Sequence, residues 1–104
     1  MASLTFLDNG RSVRVRVGET VTVRLPENAS TGYRWSLGEQ EGKAVELEST
    51  EPDYRAGAVG SGGEILFTLK ARQKGKARIR LVEARSWEKG SEAKSFQVEI
   101  VVEG

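Results

Sequence analysis

Three short stretches hold the residue types best suited to recognition or chemistry in this sequence: Asn28-Ala29-Ser30-Thr31-Gly32, Gly60-Ser61-Gly62-Gly63 and Arg85-Ser86-Trp87-Glu88. Catalysis can be tested first. The chain has no histidine and no cysteine, so the commonest general base, the commonest transition-metal ligand and all thiol chemistry are absent. A nucleophile would have to be a serine or threonine activated by lysine or a carboxylate. Ser30, Thr31, Ser61, Ser86 and Ser91 all lie in turn-rich segments, where hydroxyls commonly bond the backbone, and none sits in a G-x-S-x-G or S-x-x-K motif. No catalytic residue is expected.

The charged residues point the same way. Glu39, Glu41, Glu46, Glu48, Glu51 and Asp53 form an acidic stretch, but their spacing matches no calcium loop. Glu46 and Glu48 alternate with Val45 and Leu47, as on a solvated strand face. Arg14, Arg16, Arg24, Arg78 and Arg80 could form a basic stripe, yet no aromatic side chains interleave with them as stacking platforms for nucleic acid. They read instead as outward charges guarding sheet edges. Sixteen Lys and Arg against fifteen Asp and Glu give no net pull toward nucleic acid or membrane. Gly60-Ser61-Gly62-Gly63 lacks the lysine and following helix of a phosphate loop, so it reads as a segment that lets backbone approach a partner closely. No metal or cofactor is expected. Trp35 alternates with Tyr33 and Leu37 and reads as core, whereas Trp87 lies in a polar stretch. Tryptophan and arginine are enriched at binding hot spots, so Trp87 and Arg85 are candidate anchors.

These residues need a scaffold, and period-2 alternation supplies it. Seven runs are expected as strands: A (12–17), B (20–25), C (33–37), D (45–49), E (64–71), F (75–82) and G (95–102), with Thr5 to Leu7 a further N-terminal edge strand. The two-residue link Gly18-Glu19 between A and B reads as a tight hairpin. No segment carries a sustained helical repeat. The expected fold is all-β, an immunoglobulin-like antiparallel sandwich of about seven or eight strands, in one domain spanning residues 1–104. Successive connections in such a sandwich alternate between its two ends. The B–C (Pro26 to Gly32), D–E (Thr50 to Gly63) and F–G (Glu83 to Lys94) connections therefore share an end, as a recognition surface would require. Met1-Ala2-Ser3-Leu4-Thr5-Phe6 has no positive n-region and no long apolar run, which suits a cytoplasmic protein or the mature form of an exported one.

The three stretches also carry a resemblance. Asn28-Ala29-Ser30-Thr31-Gly32-Tyr33-Arg34-Trp35 resembles the N-P-T-T-G-Y-x-W segment of the chagasin family of cysteine protease inhibitors, Gly60-Ser61-Gly62-Gly63 its G-x-G-G motif, and Arg85-Ser86-Trp87-Glu88 its R-P-W-E motif. The likeness runs from about Val13 to Val102, with the motifs in order on the three connections.

That resemblance implies a reversible inhibitor of papain-like, cathepsin-type cysteine proteases, monomeric when free. Its three loops would wedge into the active-site cleft. Asn28, Ala29, Ser30, Thr31 and Gly32 would cover the catalytic cysteine. Gly60, Ser61, Gly62 and Gly63 would lie along the non-primed side, and Arg85, Ser86 and Trp87 would anchor the primed side. Ala29 and Ser86 stand where the family has proline. Each loss of a fixed φ should raise the cost of ordering its loop by a few tenths to about 1 kcal/mol. The alternative from another class is a structural or adhesive immunoglobulin-like module of a larger surface protein.

Overall fold

The computed structural model describes residues 2–27, 33–53, 63–85 and 94–104. These residues form the expected sandwich, with eight strands in two four-stranded sheets. The strands are β1 (Ala2–Thr5), β2 (Ser12–Arg16), β3 (Thr20–Glu27), β4 (Tyr33–Glu41), β5 (Val45–Asp53), β6 (Gly63–Ala71), β7 (Gly75–Arg85) and β8 (Lys94–Glu103). Strands β2 to β8 are the runs A to G. One sheet has the order β1-β3-β6-β5 and the other β2-β8-β7-β4.

Alternation explains the packing. Val21, Val23 and Leu25 of β3 and Ile65, Phe67 and Leu69 of β6 face inward from the first sheet. Ala77, Ile79 and Leu81 of β7 and Phe96, Val98, Ile100 and Val102 of β8 meet them from the second. The intervening residues are half-buried or exposed, so each sheet has one wet face. Trp35 is buried in the same core, as its alternation implies.

Four local expectations are corrected. The link at Gly18-Glu19 is no hairpin: β2 pairs in parallel with β8, and β3 pairs with β6 and with β1. The Val17 amide donates to Glu103 O in one sheet and the Gly18 amide to Ala71 O in the other, so these residues carry the chain across the sandwich. Gly18 does so at φ +96°, a conformation that favours glycine. Both apolar sets still face inward, but from opposite sheets.

The N-terminal strand lies at Ala2–Thr5 rather than at Thr5 to Leu7, because Thr5 caps a 3-10 turn over Phe6–Asp8. The Thr5 hydroxyl accepts the Leu7 amide at 3.3 Å while Asp8 accepts the Thr5 amide at 2.9 Å. Strand β4 runs on to Glu41 through an irregularity between Leu37 and Glu39, and Leu37, expected to face the core with Trp35, is exposed. Finally, of the five arginines expected to guard sheet edges, Arg14 and Arg16 lie on an edge strand and Arg24, Arg78 and Arg80 do not. Arg24 and Arg78 sit on interior strands and face carboxylates across the ladder, Glu64 at 3.1 Å and Glu99 at 3.9 Å.

Candidate functional site at the loop-bearing end

The strands reach further toward the three connections than alternation suggests, and their registers fix how the connections leave the sandwich. Glu27, the last residue of β3, pairs with Gly63, the first of β6. Asp53 pairs with Glu64, Tyr33 with Arg85, and Glu83 with Lys94. The B–C stem therefore departs beside the return of D–E and re-enters beside the departure of F–G. D–E joins neighbours within the first sheet, F–G joins neighbours within the second, and B–C crosses between them. The stems stand in the order D–E, B–C, F–G along one end of the molecule.

Of the candidate residues, Gly63 and Arg85 are placed, at the ends of β6 and β7. Asn28, Ala29, Ser30, Thr31, Gly32, Gly60, Ser61, Gly62, Ser86 and Trp87 lie outside the described residues.

Beneath the stems the end of the core is polar in a way the sequence reading missed. Glu27 is 2% exposed and Glu83 is 9% exposed. Each continues the inward parity of its strand: Val21, Val23, Leu25, Glu27 in β3 and Ala77, Ile79, Leu81, Glu83 in β7. The signal was present in that parity, but carboxylates at the edge of turn-rich segments read as the start of loops.

Buried carboxylates need partners. Glu27 Oε2 accepts the Trp35 amide at 3.1 Å, and the Trp35 indole Nε1 donates to Pro26 O at 2.8 Å. Burial pushes the Glu83 carboxyl above the usual glutamate range; Lys94 opposes this and the Glu27 carboxylate adds to it. Phe6, delivered by the 3-10 turn, packs its ring 6.0 Å from that of Trp35 and 6.5 Å from that of Phe96. The Lys94 ammonium lies 6.0 Å from the Phe6 ring centre.

This arrangement suits support rather than turnover. Glu27 is engaged by the backbone at the end of a packed core. A groove of about 360 Å³ lies elsewhere, on the outer face of the second sheet, and includes neither glutamate. The acidic stretch is divided between the sheets. Glu39 and Glu41 belong to β4, while Glu46 and Glu48 of β5 face Arg72 at 3.0 and 3.8 Å. Among the described residues no group of acidic side chains could hold a metal ion.

Known proteins of similar sequence and fold give this end a context. Residues 14–100 match the family described as Chagasin family peptidase inhibitor I42. Amoebiasin-1 of Entamoeba histolytica is 28% identical over 97% of this chain and 99% of its own length. Chagasin of Trypanosoma cruzi is 29% identical over 81% of each. Among solved structures, the cysteine protease inhibitor EhICP2 from Entamoeba histolytica superposes with a TM-score of 0.82 at 22% identity, covering 98% of this chain and 94% of that one. PbICP-C, solved in complex with falcipain-2, superposes with a TM-score of 0.73 at 19% identity, over 99% and 100% of the two chains.

Proposed function

The chain belongs to the chagasin family of peptidase inhibitors, a family of cysteine protease inhibitors and not of enzymes, and from that premise we propose that it closes the active-site cleft of papain-like proteases with three loops. The B–C loop, Asn28 to Gly32, covers the catalytic cysteine. The D–E loop, with Gly60 to Gly63, runs along the non-primed side, and the F–G loop sets Arg85, Ser86 and Trp87 on the primed side. One inhibitor monomer blocks one enzyme, reversibly and without covalent chemistry.

The observation that carries this reading is the order of the stems. The strand registers stand B–C between D–E and F–G at one end, and each of the three family-like motifs falls on a different one of these connections. A central loop flanked on both sides is the layout a wedge needs to fill a cleft. A scaffold that holds the stems through paired strands also loses little entropy on docking, which favours affinity.

Titration of papain at fixed substrate tests the proposal. Turnover should fall to near zero at about one equivalent of the protein. Falcipain-2 belongs in the same panel, since a neighbour of the same fold is solved in complex with it. Full activity in every papain-like enzyme at micromolar protein would refute the proposal.

A further inference from the structure

The B–C connection is held at its base by one residue reaching back to two. Trp35 donates its backbone amide to the Glu27 carboxylate at 3.1 Å and its indole N–H to Pro26 O at 2.8 Å. Residues 26 and 27 end β3 in one sheet, and Trp35 lies in β4 of the other. The two bonds therefore join the sheets across a connection of only residues 28–32. Among the described residues β4 is an edge strand, with no strand beside its open side to take up backbone amides. A carboxylate from the opposite sheet does so at Trp35. Glu27 sits in an otherwise apolar inward row after Val21, Val23 and Leu25, where a leucine or valine would continue the core pattern.

We infer that Glu27 is a positioning residue for inhibition: its carboxylate clasps the Trp35 amide and presets the B–C loop for the protease cleft. The inference rests on the three-loop reading above. It deepens that reading by assigning the fixed spacing of the B–C stems to a residue outside the three motifs. The clasp fixes the separation and direction of the two stems before any encounter, so the ordering is done at folding and not on docking. Glu83 of β7, paired with Trp35 in the ladder, and Lys94 of β8 are charged neighbours at the same end.

Two variants separate clasping from mere burial. Glu27→Gln keeps an acceptor oxygen at the same reach, whereas Glu27→Met keeps length and loses the acceptor. Against papain, the Gln variant should inhibit within about threefold of the parent and the Met variant at least tenfold more weakly. The Met variant should melt somewhat lower, because the Trp35 amide loses its acceptor while an apolar side chain offsets part of that cost, so inhibition is compared well below both midpoints. Equal inhibition by the two variants would overturn the inference while leaving the three-loop reading intact. Failure of the parent to inhibit would instead remove the reading itself. Hydrogen exchange on the unmodified protein is a check independent of any variant's folding. The Trp35 amide should be as protected as core strand amides, and fast exchange there would overturn the clasp.

Discussion

Glu83 is the residue whose ionisation the fold most clearly resists, and this makes a pH-dependent prediction. Its folded pKa is raised, chiefly by burial, so the fold favours the protonated form. The stability this contributes is fully present below the ordinary glutamate pKa and is lost as pH rises through the raised value. Glu83→Gln is neutral throughout and escapes that loss. Its thermal midpoint should therefore gain on the parent's between pH 4 and pH 8; a gap that stays constant or closes with rising pH would contradict the assignment. Trp87 carries a second prediction at this scale. On the proposed three-loop reading, Trp87→Ala should weaken inhibition by about 2 kcal/mol or more, roughly thirtyfold in the inhibition constant. An unchanged constant would mean that Trp87 covers its own domain instead. The contrast between these residues shows what sequence reading reaches. Trp87 stands out by type, because a large aromatic in a polar stretch is unusual. Glu27 and Glu83 were visible only as a parity, and their charge outweighed it.

The strands themselves were legible because a half-buried sheet imposes its period on every residue, and the runs at 12–17, 20–25, 64–71, 75–82 and 95–102 correspond closely to β2, β3, β6, β7 and β8. Their partners were not, since pairing across the molecule leaves no mark on local alternation. Gly18-Glu19 has the length of a hairpin link, yet the Val17 amide just before it bonds to β8 and the Gly18 amide to β6. Turn length constrains how far a chain travels, not which sheet receives it. The opposite end of the sandwich from the loops has a tighter requirement. Gly42 follows β4 at φ +85°, and a Cβ there would collide with the Lys76 carbonyl oxygen. Gly42→Ala should cost about 1–3 kcal/mol from backbone conformation alone, with the collision adding to it. At about 4–8 °C per kcal/mol for a domain of this size, calorimetry should register a drop of several degrees or more. Inhibition by the folded variant should be unchanged, because none of the three candidate connections leaves from that end. A variant as stable as the parent would contradict the close approach.

At the scale of the molecule, the two sheets bury a continuous apolar core from Val102 and Ala71 near one end to Leu25 and Trp35 near the other. The core gives way to paired polar contacts where the three stems emerge. The absence of His and Cys is no handicap to such a protein, since occlusion needs shape and rigidity, not a nucleophile. On the proposed function the loop-bearing end covers the protease's catalytic thiol. The most direct test is the rate at which iodoacetamide alkylates that cysteine in papain, with and without one equivalent of this protein. Alkylation should slow by at least about a hundredfold, in step with inhibition, as expected for a thiolate closed off from solvent. Alkylation at the uninhibited rate, in a complex that nevertheless blocks turnover, would contradict it.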